Sequence, residues 1–231
     1  MALPDPHVLI NFKAYDGTAA RNGLSLLEQI STIQQRTGAS FVVAPQIADL
    51  SLSAKESDIP VIAQVATAGN NRTHNGRVPI QTVAASGAAG VVVNHPENES
   101  SIRTIEREIA AAKTGGIESI VCVNSIEMGR AVLEFGPDWL LFERPADIAS
   151  GTSMAETAPE RVEQFVSMVD EKEPDTRVML GGGISDGKAV AEAFRCGVDA
   201  VGAASAYVDA DNKEAWLSEV ANGMNAISNN Q

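Results

Sequence analysis

The stretch Ala89-Gly90-Val91-Val92-Val93-Asn94-His95-Pro96-Glu97 contains the pattern that decides the fold. A short apolar run, rich in valine, is followed at once by polar and titratable residues. Apolar runs without alternation are typical of strands that are covered on both faces, as in parallel sheets. We therefore expect a buried strand over Ala89–Val93 that presents His95 at its carboxyl end.

Seven further runs of this kind alternate with longer segments of helical period. The other predicted strands are Val8–Phe12, Ser40–Ala44, Val61–Gln64, Ser119–Val123, Trp139–Phe142, Arg177–Leu180 and Ala200–Ala203. Predicted helices between them include Leu24–Gln35, Ser101–Lys113, Pro159–Asp170 and Asp186–Arg195, with Ser100 as an N-cap and Gly197 as a stop signal. Eight such alternations without a linker favour an α/β fold, a single-domain (β/α)8 TIM barrel over residues 1–231, rather than an open doubly wound sheet.

The composition restricts the partners and the cell compartment. Thirty acidic and 17 basic residues give a net charge of −13, which argues against nucleic acid or an anionic membrane as partner. There is no apolar run of transmembrane length and no secretory signal, so we expect a cytoplasmic protein. The sequons at Asn71 and Asn98 are then expected to stay unglycosylated, and Cys122 and Cys196 to be reduced thiols. The acidity fits either an ordinary acidic protein or adaptation to a salt-rich cytoplasm.

Chemically useful side chains follow three of the predicted strands. Asn11 and Lys13 follow the first, His95 and Glu97 the fourth, and Glu143 the sixth. Because the carboxyl ends of barrel strands build one pocket, we expect these side chains to meet there. A carboxylate, an imidazole and an ammonium can remove a proton beside a carbonyl and stabilise the oxyanion that results. That chemistry needs no cofactor, and the dispersed His and Cys residues match no metal-site spacing.

Two segments after the seventh and eighth strands are candidates for binding phosphate through main-chain N–H groups: Gly181–Ser185 and Ala204–Ala206. Taken alone, a glycine triplet is more often a tight turn, and a lone His, Glu or Lys is more often a surface residue. Strand order, position and residue type agree here, and their combination indicates an enzyme. We expect His7 to be structural and His74 to lie in a loop or subunit contact.

The motifs at these positions resemble those of the triosephosphate isomerase family in its shorter archaeal form. The matching segments are Asn11-Phe12-Lys13-Ala14-Tyr15, Val43-Ala44-Pro45-Gln46, Ala63-Gln64, Asn94-His95-Pro96-Glu97, Val121-Cys122-Val123-Asn124, Gly136-Pro137-Asp138, Glu143 with Pro145, Ile148 and Gly151, Gly181–Ser185 and Ala204-Ser205. They span nearly the whole chain.

The resemblance implies interconversion of dihydroxyacetone phosphate and D-glyceraldehyde 3-phosphate, as in glycolysis and gluconeogenesis, without a cofactor. It implies Glu143 as the base, His95 as an imidazole kept neutral by a helix N-terminus, and Lys13 as the cation that stabilises the enediolate. Substrate-binding residues implied in the same way are Asn11, Glu97, Gly151, Gly182, Gly183, Ala204 and Ser205. It further implies a lid over Arg144–Thr152 and a homodimer or homotetramer.

The chain also departs from the family's pattern. Pro96 stands where the family has serine, Asn98-Glu99 replace an arginine-rich pair, and Ala206 stands where the second phosphate loop has glycine. The segment after Glu143 and the run Val65-Ala66-Thr67 differ as well. Two alternatives therefore stay open: a paralogue that isomerises another small aldose or ketose phosphate, and a non-catalytic sugar-phosphate-binding barrel.

Overall fold

The structure is a computed structural model that describes residues 2–69, 75–147 and 151–228. The sequon at Asn71, His74 and residues 148–150 of the implied lid lie outside the described residues.

Eight parallel strands form the centre of the described molecule. They are β1 (His7–Asn11), β2 (Phe41–Ala44), β3 (Ile62–Ala63), β4 (Gly90–Val93), β5 (Glu118–Val123), β6 (Trp139–Phe142), β7 (Arg177–Leu180) and β8 (Ala200–Ala203). Hydrogen-bonded neighbours follow the order β2-β1-β8-β7-β6-β5-β4-β3, and a parallel bridge between Val43 and Val61 joins the two ends of this order. The predicted (β/α)8 barrel is confirmed. The third strand is shorter than the predicted Val61–Gln64, since Val61 makes only an isolated bridge and Gln64 lies just beyond the strand.

Ten α-helices lie in the described residues and surround the strands. They are α1 (Ala20–Thr37), α2 (Leu50–Glu56), α3 (Ile80–Ala85), α4 (Ile102–Gly115), α5 (Ile126–Leu133), α6 (Met154–Thr157), α7 (Pro159–Lys172), α8 (Gly187–Arg195), α9 (Ser205–Val208) and α10 (Lys213–Ser228). None of the described helices is long and apolar enough to cross a membrane.

The predicted cap of α4 is wrong by one residue. The N-cap is Ser101, whose hydroxyl accepts from the Thr104 N–H at 3.3 Å. Ser100 is used differently, since its own N–H donates to Asn94 Oδ1 at 2.8 Å and so ties the loop after β4 to the strand end. The stop of α8 is as expected, with Gly197 at a φ of +88° just beyond the helix.

The apolar strands divide their side chains between two cores. Leu9, Val92, Leu141 and similar residues point into the barrel, while Val8, Ile10 and their counterparts pack beneath the helices. This double burial is the physical reason why the strands contain no regular polar positions. Cys122 and Cys196 are both buried and free, as expected.

The amino-terminal end of the barrel is closed by the segment that precedes β1. Leu3 joins the interior core, and its N–H donates to Glu118 Oε1 at 3.1 Å. His7 is fully buried beside Trp139, with ring centroids 5.0 Å apart, and its Nδ1 lies 2.7 Å from the Pro4 carbonyl. This end lies opposite the strand ends that carry the candidate chemistry, so His7 has the structural place expected of it.

Candidate active site

Lys13, two residues beyond β1, is held in an unusual backbone conformation. Its φ is +42°, in the left-handed region that residues with a side chain rarely adopt. Asn11 Oδ1 accepts from the Lys13 N–H at 2.9 Å, and Gln64 Nε2 donates to the Lys13 carbonyl at 3.1 Å. The Lys13 ammonium lies 2.8 Å from Glu97 Oε1. Side chains at three strand ends thus hold the N–H, the carbonyl and the ammonium of Lys13. Together they keep its backbone in the strained conformation.

His95 follows β4 and is oriented by the turn that it begins. The Glu97 N–H donates to His95 Nδ1 at 3.1 Å, so Nδ1 is an acceptor and the ring proton of the neutral imidazole lies on Nε2. Burial, and then the nearby Lys13 charge, lower the pKa of His95 below 6.5, while Glu97 opposes this. Both effects favour the neutral ring as a hydrogen-bond donor.

The Glu97 N–H that donates to His95 Nδ1 does not belong to a helix N-terminus, which the resemblance had implied. Residues 95–98 form a turn closed by the Asn98 N–H, which donates to the His95 carbonyl at 2.7 Å, and α4 begins only at Ile102. Pro96 therefore lies inside a turn and not at the first position of a helix. Its missing N–H costs nothing there, since the Glu97 N–H makes the contact to the ring.

Glu143 directly follows β6 and is nearly buried, with 6% of its surface exposed. Burial raises its pKa to about 7, against the lowering effects of Lys13 and of a hydrogen bond from the Cys122 thiol. Its Oε1 is 3.8 Å from His95 Nε2 and has no hydrogen-bond partner in the described part of the chain. A desolvated carboxylate with an unused oxygen that faces a neutral N–H group is arranged to receive a proton from a bound molecule.

The glycine triplet after β7 packs against the chain segment that follows Glu143. A Cβ at Gly181 would lie 2.7 Å from Glu143 Oε2, and a Cβ at Gly183 would lie 2.0 Å from the Thr152 carbonyl oxygen. Gly183 also has a φ of +72°. Only glycine fits at these contacts, because a side chain at Gly181 or Gly183 would overlap Glu143 or the Thr152 carbonyl.

One cavity at the carboxyl ends of the strands collects most of the expected residues. Its empty volume is about 770 Å³, which includes solvent at its open mouth. Its lining includes Asn11, Lys13, His95, Glu143, Gly151, Gly182, Gly183, Ala204 and Ser205. Glu97 is not part of the lining; it is exposed and reaches the site through the Lys13 ammonium.

Two polar residues at this site were missed as site residues from the sequence. Tyr15 lines the cavity, and Gln64 holds the Lys13 carbonyl from outside it. Gln64 directly follows β3, so the rule that site residues follow barrel strands would have found it. Within the described residues no three His, Cys, Asp or Glu side chains are grouped so that they could hold a metal ion.

A (β/α)8 barrel that brings a buried carboxylate, a neutral imidazole and an ammonium group to one cavity at its strand ends defines an enzyme of the proton-transferring isomerase class. Comparison with known proteins is more specific. The family described as Triosephosphate isomerase matches residues 6–222, and the chain belongs to that family.

Individual relatives agree along nearly the whole chain. The triosephosphate isomerase of Methanocaldococcus jannaschii is 33% identical over 92% of this chain and 97% of its own length. That of Methanothermus fervidus is 32% identical over 95% and 99%, respectively. That of Methanosarcina mazei is 29% identical over 93% and 97%. The resemblance seen in the sequence motifs is confirmed.

Proposed function

We propose that this chain interconverts dihydroxyacetone phosphate and D-glyceraldehyde 3-phosphate. The observation that carries the proposal is the 3.8 Å separation of Glu143 Oε1 and His95 Nε2 across a cavity that Lys13 also lines. These groups face one another without a direct hydrogen bond, which leaves both able to act on a molecule bound beside them. Family membership supports the same reaction.

In the proposed reaction Glu143 removes a proton from the hydroxyl-bearing carbon that is bonded to the carbonyl carbon. The electron pair moves onto the carbonyl oxygen, giving an enediolate. His95 Nε2–H donates to that oxygen and exchanges protons between the two oxygens, and protonated Glu143 returns its proton to the neighbouring carbon. A pKa of about 7 suits this role, because a base is most effective when its pKa is near the working pH.

Lys13 is the one lysine or arginine among the described residues that line the cavity. We assign to it the stabilisation of the enediolate and the attraction of a dianionic substrate to a protein of net charge −13. Asn11 and Glu97 would act through it, by holding its backbone N–H and its Nζ. We assign phosphate binding to the main chain at Gly151, Gly182, Gly183, Ala204 and Ser205, all of which line the cavity.

The wider setting is part of the same proposal. We propose one domain over residues 1–231, a cytoplasmic place in glycolysis and gluconeogenesis, and a homodimer or homotetramer, which light scattering measures directly. The count of 30 acidic against 17 basic residues supports function in a salt-rich cytoplasm. Activity measured at increasing KCl concentration tests this.

The proposed function is tested by a coupled assay of dihydroxyacetone phosphate turnover with Glu143→Gln beside the wild-type chain. The substitution keeps the shape of the base and removes its proton affinity, so kcat should fall by at least about 10³-fold with ligand still bound. Glu28→Gln, on the exposed face of α1, is the matched control and should retain full activity. Folded wild-type protein without turnover at low and high KCl would refute the proposal.

A further inference from the structure

The segment Gly181–Ser185, which contains two of the glycines assigned to phosphate binding, ends in a hydrogen bond that the mechanism above does not use. The indole N–H of Trp216 donates to the Ser185 carbonyl at 2.6 Å. Trp216 lies in α10, 31 residues further along the chain, and is 8% exposed. Ser185 lines the cavity and Trp216 does not, so the indole holds the segment from behind the cavity wall.

This bond fixes the last peptide group of the segment. Because a peptide group is planar, a carbonyl held at Ser185 also fixes the direction of the next N–H, that of Asp186. Asp186 is the N-cap of α8, and its Oδ1 accepts from the Ala189 N–H at 2.8 Å. At the other end of the segment, the Gly181 N–H donates to the carbonyl of the last residue of β6 at 3.0 Å. The bond from Trp216 therefore completes a segment that the sheet and α8 hold at its two ends.

The helix that carries Trp216 is itself closely seated on the start of α8. A Cβ at Gly187 would lie 2.3 Å from the Glu219 carbonyl oxygen, and a Cβ at Gly223 would lie 2.1 Å from the Gly187 carbonyl oxygen. The two helix backbones are thus in direct contact, with no side chain between them that could give way. The distance from Trp216 to Ser185 is consequently set by the packing of α10 on α8.

Trp216 also ends a buried row of three aromatic rings. Its ring lies 5.6 Å from that of Tyr207, which in turn stacks on Phe12 at 6.3 Å between ring centroids. Phe12 directly precedes Lys13, and Tyr207 lies in α9, which begins at Ser205. The row therefore places the indole at a fixed position relative to the proposed cation and the second phosphate-binding segment.

We propose that Trp216 is a positioning residue for phosphate binding: its indole N–H holds the Ser185 carbonyl away from the cavity and keeps the main chain of Gly181–Ser185 in the conformation that receives the phosphate group. Without its donor, the carbonyl would be free to turn, and an amide oxygen turned towards the cavity would repel a dianion. This proposal rests on the proposed function, whose phosphate site it deepens. Trp216 acts through Ser185 and does not itself touch the ligand.

The test compares Trp216→Phe with Trp139→Phe as the matched control. The chain has two tryptophans, and Trp139 donates its indole N–H to Glu118 at the opposite end of the barrel. The control therefore loses the same ring volume and the same kind of hydrogen bond away from the cavity.

A third protein carries benzothienylalanine at position 216, which keeps the shape of the indole and replaces its N–H by sulfur. The readouts are the affinity for inorganic phosphate by calorimetry, and KM and kcat for dihydroxyacetone phosphate. Circular dichroism and thermal unfolding establish that each protein is folded.

We expect both changes at position 216 to weaken phosphate binding and raise KM by about fivefold, which corresponds to the net contribution of one hydrogen bond. The value of kcat should change by less than about twofold, because the groups that transfer protons are untouched. Trp139→Phe should lower the thermal stability and leave the phosphate affinity within about twofold of wild type.

Three results would overturn the proposal. The first is unchanged phosphate affinity in both proteins altered at position 216. The second is normal affinity with benzothienylalanine, which would show that the N–H group is not needed and which decides the question even if Trp216→Phe does not fold. The third is an equal loss of affinity in Trp139→Phe, which would assign the effect to stability. Calorimetry needs no turnover, so a wild-type chain that binds phosphate but does not turn over dihydroxyacetone phosphate would refute the proposed function and leave this comparison intact.

Discussion

The buried His7 should make the protein less stable as the pH falls from 6.5 to 4. The ring is fully buried, donates from Nδ1 to the Pro4 carbonyl, and has no partner at Nε2 in the described residues. Burial is the main reason that its pKa falls from 6.5 to about 4, and the Arg177 charge adds to it. Asp5 and Glu118 also lie at this end of the barrel, each within 4 Å of Arg177, and Asp138 and Asp199 precede β6 and β8 there.

The sign and size follow from the difference between the folded and unfolded chains. Below pH 6.5 the unfolded chain binds a proton at His7, while the folded chain resists it until about pH 4. Falling pH therefore favours unfolding across that window. The contribution is about 2 kcal/mol at pH 5 and about 3 kcal/mol below pH 4.

The comparison to make is wild type against His7→Leu in denaturant titrations from pH 7.5 to pH 4, at constant KCl. The variant keeps the apolar volume, so at pH 7.5 the two free energies of unfolding should agree within about 1 kcal/mol, because a lost hydrogen bond is offset by the loss of an unpaired ring nitrogen. At pH 5 the variant should be more stable than the wild type by about 2 kcal/mol, with carboxylate titrations common to both.

Nuclear magnetic resonance gives an independent check. The chain has three histidines, and the His7 signal is the one absent from His7→Leu spectra. Parallel stability curves for the two proteins, or a His7 ring that titrates near pH 6.5 in the folded state, would refute the reasoning.

Three further predictions concern the site. Gln64→Leu removes the donor to the Lys13 carbonyl. It should lower kcat by about tenfold or more and the free energy of unfolding by about 1–3 kcal/mol, as measured by kinetics and denaturant titration on the same samples. Gly183→Ala should weaken phosphate binding beyond detection or prevent folding, since its Cβ would meet the Thr152 carbonyl at 2.0 Å; normal phosphate affinity would contradict the packing. Glu143, as the proposed base, must be ionised to act. Because its pKa is about 7, kcat/KM should fall about tenfold per pH unit below that value, and a profile flat to pH 5 would show that another group is the base.

Much of the architecture could be predicted from local patterns. The bounds of β6, β7 and β8 match the predicted runs, because a strand covered on both faces must be apolar at consecutive positions. The length of β3 was overestimated at both ends, because Val61 makes only an isolated bridge to Val43 and the Gln64 amide donates to the Lys13 and Ala44 carbonyls.

The residues of the candidate site were predicted from the sequence more fully than their geometry was. That Lys13, His95 and Glu143 line one cavity follows from the strand-end rule alone. The structural element that supplies the N–H donor to His95 Nδ1 could not be predicted, because a turn and the first turn of a helix offer the same donor from similar sequences.

The sequence by itself therefore determined the barrel, its strand order and the residues that its strand ends present, because these depend on side-chain periodicity and chain order. Only the tertiary structure decided the raised pKa of Glu143, the left-handed backbone of Lys13 and the contact of Asp147 with Gly182. Each of these depends on groups that are far apart in the chain, whose burial and distance exist only once the strands have closed around a common interior.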